Sequence, residues 1–311
     1  MRKIQELLSN RSVLRIGLAL GLLLLLRQLW VSLGTVLRTG LPPLGGVPLA
    51  LGLASGLVAQ VLQASSWWML LRSVGEEVPF VAVLRGYPRS FIARYIPGSV
   101  WAYLNRATWL RLDHNIRAST SWGCSVVETL GLVGTCLWPP LAWVVSTHAG
   151  DLALVLPLIA LLVLVTLLPP VIVPRLPWFR GTFPKGIRFS TWLLVVAMDL
   201  LFWTCYGFAF LASLNATAAS PSGNLFAAWW VAGLSWLAGF LIFPVPGGLG
   251  VRELAITLLL EGNRLLATPN PALVSVLFRV VWSFAELIWL GVGTLVRRSG
   301  QEVGRMGDGG G

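Results

Sequence analysis

Two sets of ionisable side chains sit in stretches otherwise suited to lipid. The first is Arg94, Arg106 and Glu128; the second is Arg252, Glu253, Arg279 and Glu286. An ionised group in hydrocarbon is costly, and it persists where it is paired, faces water or serves a substrate. Arginine offers a permanent charge and a planar fork that matches phosphate or carboxylate. Each set adjoins a helix-breaking stretch. YIPGSVW holds Pro97 and Gly98, and FPVPGGLGVRE holds Pro244, Pro246, Gly247, Gly248 and Gly250. Proline withholds a backbone donor, and glycine permits unusual dihedrals and close approach. A helix restarting near Val251 presents free N–H groups and the positive end of its dipole, which suits an anion. Irregular backbone is tolerated at membrane depth only when buried in protein or lining a wet cavity. The expected chemistry is therefore anion binding. The alternative is a kinked hairpin at the outer interface, with Arg252 and Glu253 solvated.

The glutamates extend the pattern. Arg279 precedes Glu286 by two helical turns, with Ser283 between them. One polar cluster is expected to join Arg252, Arg279 and Glu286, with Arg106 and Glu128 as its counterpart. The alternative is two salt bridges that staple broken elements to their neighbours. Asp199 is a third intramembrane acid, open to a proton-coupling role. Within 78–112, Arg85 and Arg89 share a helical face with Arg94 near it. The interleaved Phe80, Tyr87, Phe91, Tyr95 and Trp101 suit an interfacial amphipathic element that collects anionic headgroups. Topology alone accounts for much of that charge.

No nucleophile elbow, zinc-protease, P-loop or dinucleotide motif occurs, so no catalytic residue is expected. Cys124, Cys136 and Cys205 all lie in apolar runs without a CxxC, and His114 and His148 flank helices. Neither a metal site, a cofactor nor a disulfide framework is expected.

The elements that must position these groups follow from composition. The chain has 311 residues, is 56% hydrophobic and 11% charged, and has a mean hydropathy of +0.78. That is too apolar for a soluble globular protein. Apolar runs of spanning length cover 13–33, 47–71, 118–147, 151–173, 191–213 and 272–297. The expected fold is an all-α polytopic membrane protein with about six full spanning helices and two broken or re-entrant hairpins. The basic, apolar N-terminus lacks a small-residue cleavage site, so it reads as a retained first helix. The sixteen tryptophans fit interfacial anchoring or packing between helices.

The net charge of +11 follows the positive-inside rule, with attraction to anionic lipid as a second reading; nucleic acid is not an expected partner. Arg and Lys gather before the first helix, in 72–117, in 174–190 and after 297, whereas 34–46, 148–150 and 214–223 hold only Arg38. Both termini are therefore expected on the cytoplasmic side. Segments 78–112 and 224–266 must each enter and return, unless 78–112 lies on the surface. Segment 224–266 is either two full helices or a re-entrant hairpin.

An internal repeat links the two regions. Each carries Pro-Gly, then an arginine, then a spanning helix with S-x-x-E: Ser125 and Glu128 in the first, Ser283 and Glu286 in the second. The preceding spans, 47–71 and 191–213, run in opposite senses. Such inverted repeats with broken helices frame a midplane site in many transporters. The organisation expected is an N-terminal helix and outer loop over 1–46, a first repeat over 47–150, and a connecting helix with a basic loop over 151–190. A second repeat over 191–297 and a flexible tail over 298–311 complete it.

RYIPGSVW, the later SVVE and above all PVPGGLGVRE resemble the transmembrane region of the lysylphosphatidylglycerol synthase family. Its best-known members are the flippase half of the multiple peptide resistance factor. The resemblance covers roughly 10–297 and implies a multi-pass inner-membrane protein that moves or handles lipids. In the best-known members an aminoacylated phosphatidylglycerol moves between leaflets; others are linked to polyprenyl-phosphate glycosylation or hopanoid pathways. The chain ends at 311 with no soluble aminoacyltransferase domain, so it is not expected to make lysyl-lipid itself. Carried over by resemblance are Arg94, Pro97, Gly98, Arg106 and Glu128, and then Pro246, Gly247, Gly248, Gly250, Arg252 and Glu253.

The leading expectation is a translocase for an anionic or aminoacylated phospholipid or a polyprenyl-phosphate-linked lipid. Arg94, Arg106 and Arg252 would hold the phosphate, with Glu128 and Glu286 balancing charge. The competitors are a membrane-embedded lipid-phosphate transferase using Glu128 or Glu253 as base, and a non-transporting subunit of a lipid-glycosylation complex. Expected partners are membrane lipids, with a lipid-modifying enzyme or a second copy of the chain as further candidates.

Overall fold

Helix length follows the apolar runs. The computed structural model describes residues 44–96, 100–148, 151–179, 182–183, 186–217, 223–242, 246–261, 265–266, 268 and 270–307, with scattered positions between 19 and 34. Among these the secondary structure is helical, without strands. The expected first span, 13–33, lies largely outside the described residues.

Four helical stretches are long and apolar enough to cross a membrane: Gly46–Ser73, Ala118–Val145, Phe189–Asn215 and Pro271–Thr294. The first is α1, Gly46–Ser73. The second comprises α5, Ala118–Cys136, and α6, Trp138–Thr147, joined at Leu137 ahead of Pro139 and Pro140. The expected span over 151–173 is bent. Its helix α7, Leu152–Leu167, meets Pro169 and Pro170, and the continuation over Pro169–Arg175, which begins with α8, Pro169–Ile172, turns by 50°. Two successive prolines remove the donors that would have continued the ladder. Counting this bent pair, the described residues hold five candidate spans. By helix length and apolar composition the chain is a membrane protein.

The central contact pairs α1 with α9, Phe189–Asn215. Ser55 Oγ donates to the Cys205 carbonyl at 2.8 Å, and Ser66 Oγ donates to Asp199 Oδ1 at 3.0 Å. Positions rise along α1 as they fall along α9, so the helices are antiparallel. A Cβ at Gly52 would lie 3.3 Å from the Ala209 carbonyl oxygen, so a small residue sets this close approach. Lipid gives no hydrophobic drive for helix association, and van der Waals packing between small residues takes its place.

Both awkward segments are broken. The first contains α2, Phe80–Gly86, α3, Pro88–Ala93, and α4, Val100–His114. Tyr87, Phe91 and Tyr95 are buried, which corrects the expectation of an interfacial element, and only Trp101 of that set keeps a broadly exposed ring. They pack inward because α12, Pro271–Gly307, lies across them: Tyr87 and Phe91 meet the Trp289 ring with centroids 6.2 and 5.7 Å apart. The second segment contains α10, Leu225–Leu241, and α11, Val251–Glu261. Eleven residues span about 16 Å, roughly half of a hydrocarbon core. The helix α11 is thus too short to cross such a core by itself. Asn224 starts α10 by accepting from the N–H groups of Phe226 and Ala227, a cap worth about 1 kcal/mol.

Tryptophans divide between packed and exposed positions. Trp67, Trp192 and Trp203 are fully buried, whereas Trp138 and Trp143 are exposed. The helix α12 continues to Gly307, into the segment expected to be a flexible tail. Its extension carries Arg297, Arg298, Gln301 and Glu302, all good helix formers.

Candidate functional site

The two broken segments meet tip to tip. The Gly247 N–H donates to the Arg94 carbonyl at 3.1 Å, and Arg279 Nη2 donates to the Gly247 carbonyl at 3.1 Å. Gly247 has φ +57, a left-handed conformation that favours glycine. Gly247 thus joins the loop after α3 to α12, which answers why the turn needs glycine there.

Three ion pairs surround this junction. Arg106 of α4 pairs with Glu128 of α5, both buried. Arg106 Nε also donates to Ser90 Oγ at 3.0 Å, and its guanidinium lies 4.0 Å from the Tyr87 ring centroid. The Tyr87 hydroxyl donates to the other oxygen of Glu128. Arg94 pairs with Glu286 of α12, and Tyr95 Oη donates to the second oxygen of Glu286 at 3.0 Å. Arg279 Nε pairs with Glu253 Oε1 at 3.0 Å.

Within the expected cluster of Arg252, Arg279 and Glu286, the ion pairs run outward, Arg279 to Glu253 and Glu286 to Arg94, while Arg252 and Arg279 line one small cavity beside Tyr206. Residues 279 and 286 are about 10 Å apart along one helix axis, so each reaches a different tip. Glu286 serves the first broken segment and Arg279 the second. The pairing of Arg106 with Glu128 agrees with the expectation. The alternative, in which Arg252 and Glu253 are simply solvated, fits less well: Arg252 Nε and Glu253 Oε2 are both buried and lack a hydrogen-bond partner.

Arg252 sits at the start of α11 and fits because two glycines make room. A Cβ at Gly239 would lie 2.5 Å from Arg252 Cγ, and one at Gly248 would lie 2.8 Å from Nε. The guanidinium stem is therefore held between α10 and the turn, without a carboxylate salt bridge among the described residues.

A cavity of about 90 Å³ opens where these groups converge, with room for several waters. Arg94, Arg106 and Glu128 line it from the first half; Gly247, Gly248 and Arg252 line it from the second. Leu132, Trp236 and Phe240 supply an apolar wall. Glu253, Arg279 and Glu286 stand outside this lining and hold the arginines or the turn from behind. Gly250, at φ +76, faces open space and serves the turn. Pro246 starts the 3-10 turn Pro246–Gly248. Pro97 and Gly98 lie outside the described residues. Counting charge, Arg94 and Arg106 are balanced by Glu286 and Glu128, and Arg279 by Glu253. Among the described residues Arg252 is left without a compensating carboxylate.

Several lining residues escaped sequence reasoning. Gln63 is a polar residue within an apolar span, a signal that was available. Ser90 carried no such signal, because its role depends on α4 folding back over α3. Asp199 is fully buried, accepts from Ser66, and lies outside the cavity lining. Among the described residues no group of three His, Cys, Asp or Glu side chains could hold a metal ion.

No protein-family profile, curated protein or solved structure matches this chain.

Proposed function

We propose that the chain is a lipid translocase that carries the headgroup of an anionic or aminoacylated phospholipid, or of a polyprenyl-phosphate-linked lipid, between leaflets. The observation that carries this reading is the cavity lined by Arg94, Arg106 and Arg252 from two broken segments, with Arg252 lacking an acidic partner among the described residues. An unpaired anion in hydrocarbon is prohibitively costly, so a crossing headgroup needs a polar, water-accessible shelter. Arg252 supplies the free charge. Arg94, whose side chain is 21% exposed, can exchange Glu286 for a phosphate oxygen. The wall of Leu132, Trp236 and Phe240 lets acyl chains stay in lipid while the headgroup is held.

The reading includes six spans with both termini on the cytoplasmic side of an inner membrane. It also includes two inverted repeats whose broken elements supply the cavity's two rims. The short motifs RYIPGSVW and PVPGGLGVRE, which resemble the lysylphosphatidylglycerol synthase transmembrane region, support the same substrate class. Transport by alternating rims follows the usual logic of such repeats. Chemistry has less support: the carboxylates in and behind the cavity are all engaged by arginines.

The test is reconstitution into vesicles with headgroup-labelled phosphatidylglycerol, scoring label accessible to an external quencher. Replacing Arg252 with Gln removes one charge-assisted contact and is expected to slow translocation about tenfold or more, with the protein still folded and inserted. Translocation at the unaltered rate in Arg252→Gln refutes the assignment.

A further inference from the structure

We infer that the basic end of the bundle carries a second site for a phosphate group, centred on Arg85 and separate from the cavity above. A bowl of about 190 Å³ lies between α2 and α4, lined by Ala82, Arg85, Gly86, Arg89, Trp109, Asp113 and His114. None of these residues lines the central cavity.

Its position follows from the helix ends. Arg72 lies in the last turn of α1, and Arg111 and His114 lie in the last turn of α4. The second half of α12 passes the same place, because a Cβ at Gly293 would lie 3.4 Å from the Arg85 carbonyl oxygen. The bowl therefore opens beside the basic last turn of α4 and the arginines of the α2–α3 segment, where anionic headgroups or soluble phosphates gather.

The walls are built rather than incidental. Gly86 is pressed against the Trp109 indole, which a Cβ there would meet at 2.4 Å. The ring of His114 stands edge-on to Trp109 with centroids 5.3 Å apart, which fixes the imidazole at the rim. Asp113 and Arg89 both already hold partners. Arg85 differs: its Nε is buried and has no hydrogen-bond partner. A buried donor left unsatisfied costs free energy that a ligand oxygen recovers. Two guanidinium groups and an imidazole against one carboxylate favour an anion, and a planar fork with an open donor favours phosphate.

The experiment is native mass spectrometry of the full chain in neutral detergent, titrated with phosphatidylglycerol, phosphatidylcholine or inorganic phosphate. A phosphatidylglycerol adduct is expected whose affinity falls about tenfold in Arg85→Gln. Ala82→Phe, which fills the bowl without touching an ion pair, should weaken the same adduct and carries the test if Arg85→Gln misfolds. Arg252→Gln should leave this adduct in place. Dependence on Arg85 or on the Ala82 filling seen with phosphatidylglycerol alone assigns a lipid headgroup; the same dependence with inorganic phosphate assigns a soluble source. Both outcomes support the site. Equal adducts in the native chain, Arg85→Gln and Ala82→Phe overturn it. With two sites the native chain is expected to take up two phosphatidylglycerols and Arg252→Gln one; an Arg252→Gln chain that still takes up two counts against the central cavity and leaves this site standing.

Discussion

The buried pair of Arg106 and Glu128 gives a prediction whose size can be worked out. Replacing Glu128 with Leu leaves the Arg106 guanidinium buried, with Ser90 Oγ and the rings of Tyr87, Trp67 and Tyr103 around it but no carboxylate. Breaking a buried pair from one side costs about 3–5 kcal/mol, because the other charge is left uncompensated. The Tyr87 hydroxyl also loses its acceptor, adding about 1 kcal/mol. The sum, about 4–6 kcal/mol, is roughly a thousandfold or more in the folding equilibrium. Removing both charges, as Arg106→Met with Glu128→Leu, is expected to recover most of that loss, since well-packed apolar pairs replace buried ion pairs at little net cost. The assay is unfolding in mixed micelles titrated with dodecyl sulfate, followed by tryptophan emission. A Glu128→Leu loss below about 1 kcal/mol, or a double variant as unstable as the single one, would refute a buried, mutually compensating pair. The double variant also separates structure from transport. It should fold and yet move labelled lipid poorly, because the cavity loses Arg106; normal movement in a folded double variant would reduce the pair to a staple.

Two further outcomes follow from close approaches. Gly239→Val is expected to push Arg252 from its slot, since a Cβ there would lie 2.5 Å from Cγ. Phosphatidylglycerol binding at the cavity should fall by at least as much as in Arg252→Gln, and unchanged binding counts against the slot. Gly131→Ala is expected to cost about 1–3 kcal/mol by overpacking, because a Cβ would lie 2.8 Å from Asp199 Oδ2 and 2.9 Å from Trp192. In the same dodecyl sulfate titration, a neutral Gly131→Ala would show that Asp199 and Trp192 have room to move.

Composition and run length were enough to read a membrane protein, its long helices and the places where helices break. Lipid leaves little freedom in those matters: a backbone must satisfy itself, and apolar runs of spanning length have one use. Pro169 and Pro170 bent an expected straight span, and that signal was also written in the chain. Arg94, Arg106, Glu128 and Arg252 could be singled out for the same reason, since each is expensive in hydrocarbon.

Which charge meets which was decided only in three dimensions. Arg94 and Glu286 are 192 positions apart, and nothing local links them. Their pairing depends on α3 ending beside the middle of α12, a placement set by packing of Tyr87 and Phe91 against Trp289. Likewise, the aromatic residues of 78–112 looked interfacial because a sequence shows amphipathicity but not what covers the apolar face. The spare charge on Arg252 emerges only after Glu128, Glu253 and Glu286 have been assigned their partners, and partners are a property of the folded structure rather than of spacing.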